Sequence, residues 1–202
     1  CIRDRVGSFL PACGRCRWCA TGKQNLCDLG ALILAGTMAD GTYRRRANGR
    51  ELGALSLLGT FAQYGTVQEE SLVKIDNDIP LDRACLVGCG VTTGWGSAVN
   101  TAKVSPGDTV VVIGCGGIGT SAIQGARIAG AEHIVAVDIV ESKRDKLLTL
   151  GATHFCTTFP EAANLVADLT RGVLADSAIL TVGVVSGEMI GQTLESVSYT
   201  HL

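Results

Sequence analysis

The chain has 202 residues, a length typical of one or two domains. Hydrophobic residues make up 47% of it and charged residues only 18%, so there is ample apolar material for a core. The formal net charge of −2 gives no electrostatic reason to expect nucleic acid or lipid headgroups as partners, and no apolar run approaches the length that spans a bilayer.

Four cysteines near the start of the chain follow the spacing C-x2-C-x2-C-x7-C: Cys13, Cys16, Cys19 and Cys27. Four thiolates can close a tetrahedral shell around one zinc ion and leave no position open for substrate, so we predict a structural zinc site. Two disulfides are possible in principle, although nine cysteines is an odd count. An iron–sulfur site of the bacterial ferredoxin type is disfavoured, because the fourth cysteine is too distant and no proline follows it.

The first 80 residues are punctuated by glycine and contain short apolar stretches. Residues 57–67 and 71–75 are predicted to be strands, and Asp40, Gly41 and Thr42 a turn. A helix is predicted to begin just after Pro80, where the glycine-punctuated part of the sequence ends. We therefore predict one domain over residues 1–80, with the zinc lobe at 13–27, and a second over 81–202.

Strand and helix patterns alternate in the second predicted domain. Strands are predicted at 109–113, 133–138, 154–157 and 177–182, and helices at 118–129, 142–150 and 161–170. Continuous apolar strands that alternate with helices are typical of a parallel sheet covered on both faces. The predicted fold class is therefore α/β.

The first of these strands leads directly into the motif G-x-G-x-x-G, which reads Gly114-Cys115-Gly116-Gly117-Ile118-Gly119. Gly114 permits a tight turn, Gly116 leaves room for a pyrophosphate, and Gly119 lets the helix pack on the sheet. The helix predicted to begin at Ile118 offers free N–H groups to the phosphates, and Gly117 and Ile118 are counted among the cofactor-binding residues. This motif between a strand and a helix predicts a dinucleotide site.

An acidic residue, Asp138, ends the next strand, nineteen residues after Gly119. Its carboxylate can accept hydrogen bonds from the adenosine ribose and would repel a 2′-phosphate, so NAD is favoured over NADP. Lys143 is a candidate for the same ribose. The competing interpretations are that Asp138 serves only as a helix N-cap and that Lys143 is an exposed helix lysine.

The two signatures together resemble the zinc-dependent alcohol dehydrogenases of the medium-chain dehydrogenase/reductase superfamily. The resemblance runs from about Val6 to about Glu195 and includes Asp40-Gly41-Thr42 and Leu58-Gly59-Thr60-Phe61. It implies part of a GroES-like β-rich catalytic domain with a structural zinc lobe, followed by a truncated Rossmann domain. It also implies that the cofactors are NAD and zinc, structural and catalytic.

The segment Val87-Gly88-Cys89-Gly90-Val91-Thr92-Thr93-Gly94 carries the most telling part of the resemblance. The resemblance implies that Cys89 is a ligand of the catalytic zinc and that Thr93 and Gly94 lie beside the nicotinamide, with Thr93 counted among the catalytic residues. The family's other catalytic zinc ligands, a cysteine and the histidine of a Gly-His-Glu motif, are not in this chain. The chain therefore reads as an internal piece of a longer protein, inactive by itself.

The resemblance implies hydride transfer between NAD and a primary alcohol, or a hemithioacetal-type adduct, in a homo-oligomer. Free cysteines outside the cluster fit a reducing compartment, so we expect a cytoplasmic protein. Details around Trp18 and Asn25 resemble the nicotinoprotein branch, which holds NAD tightly and regenerates it with an acceptor such as N,N-dimethyl-4-nitrosoaniline (NDMA). The glutathione-linked formaldehyde dehydrogenases are close as well. Two alternatives are a zinc-free quinone or enone reductase of the same superfamily and a zinc-ribbon module that binds nucleic acid through basic residues near the cluster, namely Arg15, Arg17 and Lys23.

Overall fold

The computed structural model describes residues 4–198, which belong to two compact units, Cys1–Cys89 and Gly90–Leu202. Each unit has its own internal packing. The proposed domain boundary at residue 80 stays a prediction. Among the described residues, no helix has both the length and the apolar character needed to cross a membrane.

The first unit contains two small antiparallel pairs of strands. Its four strands are β1 (Arg5–Gly7), β2 (Arg45–Ala47), β3 (Arg50–Leu52) and β4 (Leu72–Lys74). β1 pairs with β4, and β2 pairs with β3. Asn48 and Gly49 connect β2 to β3 with φ angles of 51° and 74°, as the two central residues of a type I′ hairpin turn require.

The helices of the first unit are short: α1 (Arg17–Ala20) and α2 (Leu81–Leu86), with 3₁₀ turns at Gln24–Leu26, Asp28–Leu32, Leu55–Leu57 and Glu69–Ser71. The predicted strand over 71–75 is observed as β4, but the strand predicted over 57–67 is wrong. Gly59 adopts a positive φ of 53°, and the Arg45 guanidinium donates to the carbonyl of Leu58 at 3.0 Å. Residues 58–67 therefore form a loop tied to a side chain instead of a strand.

The second unit is built around a parallel sheet in the order β7-β6-β5-β8. Its strands are β5 (Thr109–Ile113), β6 (His133–Val137), β7 (His154–Cys156) and β8 (Ser177–Leu180), and its helices are α3 (Thr92–Gly96), α4 (Gly117–Ala129), α5 (Arg144–Leu150), α6 (Phe159–Leu169) and α7 (Gly187–Glu195). π-helical turns at Val87–Val91 and Ser97–Thr101 flank α3. The four predicted strands and three predicted helices are confirmed to within a few residues.

The sheet is covered on both faces, as the continuous apolar strands predict. On one face Val110, Val112 and Ile134 pack into a cluster with Ile123 of α4. Residues of the opposite parity, such as Val111 and Val135, pack into a second cluster with α6. Because all four strands are parallel, their carboxyl ends lie at one edge of the sheet, where the dinucleotide motif begins.

Candidate functional site

The four predicted zinc ligands meet at one point in the first unit. The sulfur atoms of Cys13, Cys16, Cys19 and Cys27 all lie within 4.8 Å of one another, and those of Cys16 and Cys27 are 4.0 Å apart. Four sulfur atoms around a tetrahedral zinc would be about 3.8 Å apart, given bonds of about 2.3 Å. The cluster therefore has the size of a zinc shell. All four are free cysteines, so the alternative of two disulfides is wrong.

The local backbone holds the cluster together. Cys16 is the N-cap of α1, which carries Cys19, and the Cys16 N–H donates to the Cys13 sulfur at 3.3 Å. The N–H groups of Asp28 and Cys19 lower the pKa of Cys16 to about 6. Burial raises the pKa of the Cys27 thiol to about 12. A bound zinc ion would deprotonate such a thiol, so the site suits a metal that stabilises thiolates.

The glycines of the dinucleotide motif differ in what they contribute. Gly114 has a φ of +85°, and a Cβ there would lie 2.7 Å from Val182. A Cβ at Gly119 would lie 2.2 Å from the Gly114 carbonyl oxygen. Gly116 is exposed, and a Cβ there would meet no atom within 4 Å. The fold thus requires the first and third glycines, whereas the second leaves open space at the N-terminus of α4.

The Asp138 carboxylate lies against the same loop. It is buried, and its Oδ2 accepts hydrogen bonds from the Cys115 N–H at 2.9 Å and from Lys143 Nζ at 2.6 Å. Its Oδ1 accepts from the N–H of Val140, two residues further on. The helical turn that follows begins at Glu141 with Val140 as its N-cap, so Asp138 is not a helix N-cap. Lys143 is half-buried and paired with Asp138, so it is not simply an exposed helix lysine. Both interact at the edge where the predicted ribose would bind.

Electrostatics keep Asp138 ionised. Burial opposes its ionisation, but the hydrogen bonds from Lys143 and from the N–H groups of Val140 and Cys115 hold its pKa below the usual carboxyl value. At neutral pH the site therefore presents a carboxylate, which accepts hydrogen bonds and repels phosphate.

A cavity of about 450 Å³ joins these groups. Gly114, Gly116, Asp138 and Lys143 line one part of it. Apolar side chains line another, among them Ile139, Val140 and Phe159. The cavity therefore combines open space at a helix N-terminus, a carboxylate and an apolar wall, which are the features that an adenine dinucleotide needs.

The Cys89 segment spans the π-helical turn at Val87–Val91 and the start of α3. Cys89 is exposed in the π-helical turn, and Thr93 is exposed in α3. Gly94 is buried where α3 meets α4. Among residues 4–198, the four-cysteine cluster is the one group of three or more potential ligands close enough to share a metal ion. The catalytic roles of Cys89 and Thr93 stay predictions, as do the individual cofactor contacts.

Comparison with known proteins finds a family match for each of the two parts of the chain. Residues 3–77 match the family model described as alcohol dehydrogenase GroES-like domain, and residues 117–200 match the model described as zinc-binding dehydrogenase. The chain belongs to the zinc-dependent alcohol dehydrogenases of the medium-chain dehydrogenase/reductase superfamily. Its fold is that of the family, a GroES-like part followed by a Rossmann-like part.

Two curated relatives and one solved structure illustrate the similarity. The chain is 52% identical over 185 residues to an NDMA-dependent alcohol dehydrogenase of Amycolatopsis methanolica, covering 92% of this chain and 50% of the relative. It is 44% identical over 170 residues to an S-(hydroxymethyl)glutathione dehydrogenase of Komagataella pastoris, covering 81% and 45%. The crystal structure of an alcohol dehydrogenase zinc-binding domain protein from Burkholderia ambifaria matches with a TM-score of 0.86 and 32% identity, covering 96% and 53%. The chain thus spans about half the length of the relatives that it matches.

Sequence reasoning missed one polar group in the site. The apolar pattern predicts Thr181 within the last strand, but β8 ends at Leu180, and the Thr181 hydroxyl donates to the carbonyl of Gly114 at 2.5 Å. A threonine at the end of an apolar strand gives no local signal for this contact, which brings together residues 67 positions apart.

Proposed function

We propose that the full-length protein containing this chain is an NAD-dependent alcohol dehydrogenase that transfers hydride between a primary alcohol and NAD. The observation that carries the proposal is the single cavity that joins the glycine loop to the ionised Asp138. Membership of the zinc-dependent family supports it further. Bound NAD would supply the hydride chemistry, and a zinc ion would act as the Lewis acid on the alcohol oxygen.

We propose NAD as the cofactor in preference to NADP. Asp138 is buried, ionised and held by two backbone N–H groups, so it cannot swing away from a 2′-phosphate. Lys143 is already paired with this carboxylate, which leaves less positive charge for an added phosphate. Gly116, Gly117 and the N-terminus of α4 would hold the pyrophosphate.

We propose that Cys89 holds the catalytic zinc together with ligands from outside this chain, while Cys13, Cys16, Cys19 and Cys27 hold the structural zinc. Thr93 and Gly94 would help to place the nicotinamide. Family membership argues against the zinc-free reductase and the nucleic-acid module, because the four-cysteine lobe belongs to the zinc-dependent enzymes.

A Cys89→Ser substitution in the full-length protein tests this assignment. We expect alcohol turnover to be lost while NADH binding is retained, and the zinc content to fall by one ion per chain. Cys85→Ser, which alters another exposed cysteine, is the matched control and should leave all three properties unchanged. Undiminished turnover in Cys89→Ser would contradict the role of Cys89.

We propose the NDMA-dependent branch as the nearest in mechanism, since the identity is higher to that relative than to the glutathione-linked one. The full-length protein should then oxidise primary alcohols with NDMA as acceptor and without added NAD. Turnover that instead requires free NAD together with formaldehyde and glutathione would assign it to the hemithioacetal branch. A cytoplasmic homo-oligomer remains part of this proposal, and sedimentation of the full-length protein would test the assembly.

A further inference from the structure

One peptide unit of the glycine loop is held from both sides by side chains that follow neighbouring strands. The N–H of Cys115 donates to Asp138 Oδ2 at 2.9 Å. The carbonyl of Gly114, the other half of the same peptide unit, accepts from Thr181 Oγ1 at 2.5 Å. Asp138 follows β6 and Thr181 follows β8, so the peptide after β5 is bridged to both neighbours of that strand.

The Thr181 hydroxyl has two backbone carbonyl oxygens within reach, and the nearer one belongs to the loop. The Thr181 N–H already donates to the Ile113 carbonyl at 2.8 Å, which continues the pairing of β8 with β5. The hydroxyl lies 3.1 Å from that same carbonyl but only 2.5 Å from the Gly114 carbonyl. A Cβ on Gly119 would lie 2.7 Å from the Thr181 hydroxyl oxygen, so the threonine also fits closely against the start of α4.

We propose that Thr181 is a positioning residue for the cofactor, an inference that rests on the proposed NAD-dependent function. Its hydroxyl fixes the Gly114–Cys115 peptide, and thereby the direction of the N–H groups that follow at Gly116 and Gly117. Glycines at these positions give the free loop many conformations. A loop held in its binding conformation before NAD arrives loses less entropy on binding, and the cofactor binds more tightly.

Two substitutions separate the hydroxyl from the rest of the side chain. Thr181→Val keeps the shape and the backbone N–H but removes the donor, whereas Thr181→Ser keeps the donor. Thr170→Val is the control, because the Thr170 hydroxyl also donates to a backbone carbonyl, that of Val166 at 2.7 Å, but lies outside the loop.

The experiment is a fluorescence titration with NADH of the full-length protein freed of bound cofactor. We expect Thr181→Val to weaken NADH binding roughly threefold to tenfold, the range of one net hydrogen bond. Thr181→Ser and Thr170→Val should bind NADH like the wild type. In the NDMA assay, Thr181→Val should need added NAD to reach full activity, whereas the wild type should not. Without cofactor, the Cys115 amide should exchange hydrogen faster in Thr181→Val alone.

Two outcomes would overturn this proposal by itself. One is NADH binding and Cys115 exchange in Thr181→Val equal to those of the wild type. The other is a loss in Thr181→Ser as large as that in Thr181→Val, because the hydroxyl would then not be the cause. If the wild type binds no NADH, the proposed function is wrong, and the role of Thr181 falls with it.

Discussion

At the scale of single residues, the dinucleotide loop separates positions that the fold needs from a position that the ligand needs. The fold requires glycine at 114 and 119 because a Cβ would collide with neighbouring atoms. Gly116 has no such neighbour, and its φ of −81° is accessible to any residue. A change at Gly116 should therefore act on the cofactor and leave the fold intact.

We expect Gly116→Ala to weaken NADH binding at least about tenfold while the melting temperature stays close to that of the wild type, since the new methyl group fills the space proposed for the pyrophosphate. Titration by NADH fluorescence, together with thermal unfolding, measures both. Gly191→Ala on α7 is the control, because its Cβ would also meet no atom within 4 Å. Equal NADH affinity in Gly116→Ala and the wild type would contradict the proposed phosphate position.

Asp138 should make the stability of the second unit depend on pH at the acid end. The pKa of Asp138 is lower in the folded state than in the unfolded chain. Its carboxylate therefore stabilises the fold at pH values above the ordinary carboxyl pKa of about 3.9. This stabilisation is lost as the pH falls through the lower pKa of the folded state. Denaturant unfolding of the wild type and of Asp138→Asn measures the difference in free energy of unfolding. We expect that difference to be constant between about pH 6 and 8 and to shrink below about pH 4. A difference that grows on acidification would contradict the ionised state of Asp138.

At the scale of elements, α3 and α4 approach each other closely because glycines lie at their contact. A Cβ at Gly94 would lie 2.0 Å from the Ile118 carbonyl oxygen, and one at Gly125 would lie 3.1 Å from the Trp95 Cα. Ala98, fully buried, also lies at this contact. The start of α4, where the dinucleotide motif lies, is thus supported by backbone packing on α3.

Alanine substitutions at the two glycines of α3 should therefore differ in their effect on stability. We expect Gly94→Ala to lower the free energy of unfolding by about 1–3 kcal/mol, because the helices would have to move apart. Gly96→Ala should be neutral or stabilising by up to about 1 kcal/mol, since its Cβ would come no closer than 3.7 Å to Asn100 and alanine favours a helix. Denaturant unfolding measures both, and similar values for the two variants would contradict this packing.

At the scale of the whole molecule, the two units are stabilised by different means. The second unit has a parallel sheet with an apolar cluster on each face. The lobe around the four cysteines has a much smaller cluster, in which the buried residues are Ala12, Cys19 and Cys27. So small a core cannot hold a lobe by hydrophobic burial alone, and a metal ion would supply the missing stabilisation.

Removal of one ligand should therefore unfold the lobe. We expect Cys27→Ser in the full-length protein to lose one zinc ion per chain and to become cleavable by trypsin at Arg15, Arg17 or Lys23, because the lobe loses its metal. Metal analysis and limited proteolysis measure these effects, with Cys85→Ser as the control. Full zinc content and intact protease resistance in Cys27→Ser would contradict the structural zinc.

Local sequence signals predicted the second unit better than the first. The strands of the second unit are continuous apolar runs bounded by turns, so their local pattern and their tertiary environment agree. In the first unit, Asn48 and Gly49 form a hairpin turn that is absent from the sequence-based prediction. Residues 57–67 alternate like a strand, yet Arg45 from another strand binds the backbone of Leu58 and holds the segment as a loop.

The sequence by itself determined the four-cysteine zinc lobe, the dinucleotide motif and Asp138, because each depends on residue types at fixed spacing along the chain. Only the tertiary structure decided what surrounds them. In the folded chain the Asp138 carboxylate accepts a hydrogen bond from the Cys115 N–H, 23 positions away. The Thr181 hydroxyl donates to the Gly114 carbonyl, 67 positions away. The order of parallel strands produces these contacts, since β5 lies between β6 and β8, and no local pattern encodes which side chains meet at that edge.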